Sequence, residues 1–140
     1  MVDSLTKSER SERMRRIRNR DTRPERTLRS ALHAKGLRFR LHRNDLPGRP
    51  DIVLPRFCTV IFVHGCFWHR HQGCSICTTP KSNTQFWQGK FDRNIVRDRR
   101  NVRQLRKLGW AVFTVWECEL SSPLKVERIA ERVARRLRAR

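Results

Sequence analysis

Asp51, His64 and His69 are the residues of this chain best equipped for chemistry on a phosphodiester. A carboxylate can hold a hard divalent cation such as Mg2+, and an imidazole can move a proton or steady a leaving oxygen. Asp51 follows the turn Asn44-Asp45-Leu46-Pro47-Gly48-Arg49-Pro50, and His64 closes an apolar run. If the two runs pair as a hairpin, their ends meet. A second cluster overlaps the first: Cys66, His71, Cys74 and Cys77 lie close together, with Cys118 far downstream. Thiolate and imidazole at these spacings suit tetrahedral zinc, which would hold a loop that has no core of its own. Disulfides are disfavoured by an odd cysteine count and no secretion signal. Five cysteines and His71 exceed four ligands. Cys58 is expected inside a strand facing the core, Cys118 can close the site from a distance, and Cys77 is the least settled. Phe67 and Trp68 lie between these ligands and are hard to bury there, so wedging between base pairs is the expectation for them. Phe86, at a helix start, reads as core.

The elements that position these groups follow from periodicity. Residues 1–20 contain the capping spacing Thr6-Lys7-Ser8-Glu9, yet only Leu5, Met14 and Ile17 are apolar, so they form a flexible arm that orders on its partner. Residues 21–140 make one domain. Asp21 or Thr22 caps a helix with Pro24 in its first turn, an apolar face of Leu28, Ala31 and Leu32, and Gly36 as its stop. Leu37, Phe39 and Leu41 alternate with polar residues as in a half-buried strand. Asp51–Leu54 and Cys58–Val63 read as two strands paired through Pro55-Arg56, the second central because it is apolar on both faces. Asn83 or Thr84 caps a long helix to about Lys107, Trp110–Trp116 is another buried strand, and Ser122-Pro123 opens a last helix. The order is α-α-β-β-β-α-β-α: an α/β fold with a mixed sheet flanked by helices.

Composition selects the partner. Among 140 residues, 33 Lys and Arg oppose 13 Asp and Glu, for a net charge of +20. Arg supplies 27 of those cations, and its planar fork grips phosphate bidentately and stacks on bases. The stretch 50–80 is nearly neutral and holds four of the five Cys and three of the five His. A basic body around a Cys/His-rich centre is the pattern of a polyanion binder with chemistry in the middle. No apolar run is long enough to cross a bilayer, and 37% hydrophobic residues are enough to build a core.

The string Phe62-Val63-His64-Gly65-Cys66-Phe67-Trp68-His69-Arg70-His71 resembles the signature of the very short patch repair (Vsr) DNA mismatch endonucleases. The resemblance extends over most of the chain, through Met14-Arg15-Arg16-Ile17, Asp21-Thr22-Arg23-Pro24-Glu25, Leu46-Pro47-Gly48-Arg49-Pro50-Asp51, Phe86-Trp87, Asn94-x-x-Arg97-Asp98-Arg99-Arg100 and Trp116-Glu117-Cys118. It implies a restriction-endonuclease-like fold and a Mg2+-dependent hydrolase that nicks double-stranded DNA 5′ to the thymine of T:G mismatches left by deamination of 5-methylcytosine. Asp51 and the Val63 carbonyl would hold Mg2+, His69 would be the general base with Glu25 as its partner, and His64 would lie beside the scissile phosphate. Asn94 and Asp98 would border the active site. Cys66, His71, Cys74 and Cys118 would hold zinc. Phe67, Trp68 and Trp87 would intercalate, with Met14 entering from the other groove. A DNA cytosine-5 methyltransferase and downstream repair proteins are the implied functional partners, and a monomer in the bacterial cytoplasm the implied setting. The segment His71-Gln72-Gly73-Cys74 is one residue longer than the family form, and Cys77 has no assigned role and is an alternative to Cys74.

Two rivals remain at this level. A ββα-metal (HNH-type) or restriction-like nuclease also combines His with zinc cysteines, but the former wants paired Cys-x-x-Cys motifs and only Cys74-x-x-Cys77 occurs. A non-catalytic zinc module would bind nucleic acid without need of Asp51.

Overall fold

The computed structural model describes residues 21–139; the expected arm 1–20, with Met14, lies outside the described residues. Helix α1 (Arg23–Ala34) begins where expected: the Thr22 hydroxyl accepts from the Glu25 N–H at 3.4 Å, and Pro24 lies in the first turn. Gly36, at φ +83°, ends it. Leu28 and Leu32 on one face are fully buried.

The sheet has four strands, β1 (Arg40–Leu41), β2 (Ile52–Leu54), β3 (Thr59–His64) and β4 (Ala111–Trp116), in that spatial order. The β1–β2 and β2–β3 pairs are antiparallel, and β3–β4 is parallel, with helix α2 (Thr84–Lys107) in the crossover. Helix α3 (Pro123–Arg138), capped by Ser122, completes the chain. Ile52, Leu54, Ile61 and Val115 point from the sheet toward α1 and α3, whose Leu28, Leu32, Ile129, Val133 and Leu137 close the larger core. Val53, Val60 and Phe62 point to the opposite face, where Leu105 of α2 covers them. The central strand β3 is therefore buried on both sides, as its unbroken apolar run requires.

Four local expectations are corrected. The alternation over 37–41 yields only a two-residue strand, because its partner β2 is itself three residues long. A 3-10 turn over Pro55–Phe57 ends on Cys58, which delays the second strand to Thr59, so Cys58 is neither in a strand nor in the core. It stands exposed at a corner with φ +48°, its thiol donating to the Gly109 carbonyl at 3.3 Å. Strand β4 is the sheet edge and is mostly half-buried, with only Val115 fully covered. Asn83 precedes α2 as expected but offers no side-chain cap, being itself left-handed at φ +52°.

Gly48 shows how the turn before β2 is fitted to α2. It has φ +76°, and a Cβ there would lie 2.9 Å from the Asn101 side chain. Only glycine combines that conformation with that approach.

Candidate active site

The hairpin register brings the first cluster together. Ile52 faces Ile61, so Asp51 falls beside the carboxyl-terminal end of β3, and its Oδ2 accepts the Val63 N–H at 2.7 Å. Asp51, Val63, His64, His69 and Asp98 line one cavity of about 490 Å3, along with Arg49, Arg97 and Arg100. Burial pushes the Asp51 carboxyl up to about 7; the Val63 N–H opposes the rise, the Glu25 carboxylate adds to it, and His42 and His69 oppose it. A carboxylate so reluctant to ionise next to a second acidic group is suited to a cation, which would satisfy both.

His64 and His69 stack face to face, with ring centroids 3.8 Å apart and planes within 5°. Burial and then the neighbouring His69 pull His64 down to about 4, against Asp98, so His64 is neutral at neutral pH. His69 Nδ1 lies 2.6 Å from Asp98 Oδ2. That bond fixes the ring and its tautomer, leaving Nε2 for proton transfer. Asp98 therefore holds the place in which Glu25 was expected. Glu25 is 1% exposed and bonds His42 Nε2 at 2.5 Å, with Arg29 at 3.7 Å. Its pairing with His69 is corrected: Glu25 belongs to the Asp51 side of the site. Asn94 braces the loop instead of entering the cavity, its amide donating to the Trp68 carbonyl at 3.2 Å.

The second cluster is also brought together. One ligand atom each from Cys66, His71, Cys74 and Cys118 lie within 4.8 Å of one another, and Cys77 is outside that group. His71 Nδ1 is 3.6 Å from the Cys66 sulfur and 3.4 Å from that of Cys118. Zinc bonds of about 2.3 Å to sulfur and about 2.0 Å to nitrogen would space tetrahedral ligand atoms roughly 3.5 Å apart, so the donor set fits. Burial pushes the Cys66 thiol up to about 12, and a dication is the ordinary means of ionising such a group. Because Cys118 follows β4 while the others lie after β3, a bound metal would tie the loop to the parallel strand pair.

Phe67, Trp68 and Trp87 form a half-buried ring cluster with centroids 5.0 to 6.0 Å apart, rooted on the buried Phe91. Phe86, expected in the core, is instead 60% exposed and touches only the outer side of this cluster, at Trp87. Three supporting residues escaped the sequence reading. Arg70 donates to the Phe67 and Thr78 carbonyls, with its guanidinium 4.0 Å over Phe91. The Lys90 ammonium lies 5.1 Å over Trp68 and 5.7 Å over Trp87. Glu117 accepts the Cys66 N–H at 2.8 Å. Arg70 lies within the His-rich string, but nothing in that string tells a brace from a phosphate contact.

Among known proteins, the family model described as DNA mismatch endonuclease Vsr matches residues 2–75, more than half of the chain. A type II nicking enzyme, V.XorIIP of Xanthomonas oryzae pv. oryzae, is 51% identical over 121 residues, covering 86% of this chain and 88% of that protein. The DNA mismatch endonuclease Vsr of Escherichia coli K12 is 45% identical over 135 residues, covering 95% and 86%. The catalytic domain of the homing endonuclease I-Bth0305I superposes with a TM-score of 0.54 at 18% identity, over 81% of this chain and 92% of that one, a likeness of fold alone.

Proposed function

Because the chain belongs to the DNA mismatch endonuclease Vsr family, we propose that it nicks one strand of duplex DNA 5′ to the thymine of a T:G mismatch in a Mg2+-dependent reaction. The observation that carries this reading is the convergence of Asp51 with the His64–His69–Asp98 group in one cavity, beside the aromatic cluster. Asp51 and the Val63 carbonyl would hold the cation, with Glu25 and His42 supporting the carboxylate. When bound, the cation supplies charge stabilisation to the phosphoryl and leaving oxygens. His69 takes the proton of the attacking water at Nε2 while Asp98 steadies the imidazolium that forms. His64, neutral and stacked on His69, donates or accepts a hydrogen bond beside the scissile phosphate. Asn94 keeps the Trp68 loop in place.

A T:G wobble pair stays stacked and distorts the duplex little, so it is found by how easily its step yields to a wedge. Phe67, Trp68 and Trp87 supply that wedge, and the arm 1–20, with Met14, approaches from the opposite groove. Cys66, His71, Cys74 and Cys118 would hold a zinc ion, which would keep the wedge loop rigid. The enzyme acts as a monomer on chromosomal DNA in the bacterial cytoplasm. A cytosine-5 methyltransferase generates the lesion, and other repair proteins fill the nick.

The test is an end-labelled duplex carrying one T:G pair in varied flanking sequence, with and without Mg2+. A nick immediately 5′ to the mispaired thymine, dependent on Mg2+, is the expected product. Tight binding with no cut in any context would instead leave a binding module, and equal cutting of matched DNA a restriction-like nuclease.

Two further outcomes are expected. Asp98→Asn keeps the hydrogen bond but removes the charge that stabilises the His69 imidazolium; nicking should slow on the order of a hundredfold with duplex affinity unchanged, measured by single-turnover kinetics. Trp68→Ala should remove about 1–3 kcal/mol of stacking from the mismatched complex and little from the matched one, so the ratio of the two affinities falls. Equal losses for both duplexes would assign Trp68 to general DNA contact.

A further inference from the structure

We infer that Trp116 is a positioning residue that couples the zinc loop to the catalytic imidazole pair; this rests on the nuclease reading above. Trp116 is the last residue of β4 and lies in register with His64 at the end of β3, so the two side chains share the α2 face of the sheet. Its indole stacks on the His71 ring, with centroids 4.2 Å apart and planes within 7°. It meets His64 edge to face, at 5.4 Å and 74°. His64 in turn stacks on His69 at 3.8 Å, and His69 is bonded to Asp98 at 2.6 Å. Four rings thus run without a gap from a zinc ligand to the general base. The Trp116 backbone is fixed as well: its N–H donates to Glu119 at 3.0 Å, and the following Glu117 receives the Cys66 N–H.

The packing gives this column a purpose. His64 has no hydrogen bond to another side chain among those observed for the described residues; what orients its ring is contact on either side, His69 on one and Trp116 on another, with Phe62 centred 5.5 Å away. Trp116 is itself held by stacking on His71, whose orientation a zinc would set through Nδ1. Removing the indole frees both imidazoles to tilt, and a displacement of about 1 Å in a reacting group costs roughly a hundredfold in rate. Among the described residues the rings of Phe67 and Trp68 pair with each other and with Trp87, not with that of Trp116, so binding of the mismatch should be unaffected.

The experiment compares full-length, zinc-loaded Trp116→Leu and Trp116→Phe with wild type. Zinc content, duplex affinity, single-turnover nicking and the imidazole 1H–13C resonances of His64 are measured for each. Trp116→Leu should slow nicking about tenfold to a hundredfold while zinc and affinity stay at wild-type values. Trp116→Phe, which keeps a ring against both neighbours, should restore most of the rate. The His64 resonance should broaden or shift in the Leu protein and return toward wild type in the Phe protein. An unchanged rate in Trp116→Leu overturns the inference. So does parallel loss of zinc, affinity and rate in both variants, which would make Trp116 an ordinary packing residue. If wild type nicks no mismatched duplex, the nuclease reading itself fails, and the His64 resonances still show whether the column orders that ring.

Discussion

Asp51→Asn is expected to lower nicking by roughly a thousandfold or more while the mismatched duplex binds as before, because the proposed cation would lose the charge of its side-chain ligand. The same change should stabilise the protein. The Asp51 carboxyl lies near 7 in the fold, chiefly through burial, against roughly 3.9 in an unfolded chain. The fold therefore favours the protonated form: its stability contribution is intact below about pH 4 and is lost as pH rises through 7. In buffer without divalent cations, wild type should lose roughly 2–4 kcal/mol between those limits that Asp51→Asn does not. Thermal melts at pH 5 and pH 8 check this, with the gap between the proteins widening at pH 8. Adding Mg2+ at pH 8 should raise the wild-type Tm and leave the variant where it was. A variant that still nicks at the wild-type rate would remove Asp51 from the chemistry. A variant no more stable than wild type at pH 8 would mean that Asp51 ionises freely in the fold.

The parts of this site legible in the sequence are those set by neighbours along the chain. The hairpin joining Asp51 to His64 follows from two apolar runs and a short turn, and the helix caps at Thr22 and Ser122 follow from residue type. The parts that were not legible depend on contacts across elements. His69 is 29 residues from Asp98, and no periodicity links them; the family resemblance implies Glu25 as its partner, which burial against His42 holds elsewhere. Phe86 and Trp87 are adjacent on α2 and therefore diverge in direction: one reaches Phe91 and Trp68, the other projects into solvent. Cys58 leaves the strand for a local reason, since Phe57 joins Pro55-Arg56 in a turn one residue longer than a minimal hairpin. Trp116 reads in sequence as one more apolar residue of a strand, and only the parallel register with His64 reveals its contacts.

The four-donor cluster of Cys66, His71, Cys74 and Cys118, proposed to hold zinc, makes the second large effect, and the surplus cysteine makes it a sharp test. Cys118→Ser should abolish stoichiometric zinc binding and, with it, nicking, whereas Cys77→Ser should retain one zinc and full activity, because Cys77 lies outside the four-donor group. The physical reason is local. Beyond Cys66, the loop 66–83 buries almost nothing: Ile76 is 45% exposed, and the stretch 72–83 is exposed at most positions. Metal coordination in small domains is worth about 10–16 kcal/mol in apparent folding free energy, and few other terms are available to this loop. Its loss should therefore melt the loop while sparing the core of α1, α3 and the sheet, whose buried residues lie mainly on the far face. Amide exchange is the measurement that separates the two. In Cys118→Ser, amides from 66 to 83 should lose protection while those of Leu28, Ile61 and Val133 keep it. Retained zinc in Cys118→Ser would take Cys118 out of the ligand set, and a loss of zinc in Cys77→Ser would bring Cys77 into it. Uniform loss of protection would show that the metal holds the whole fold, and that the two cores cannot stand without it.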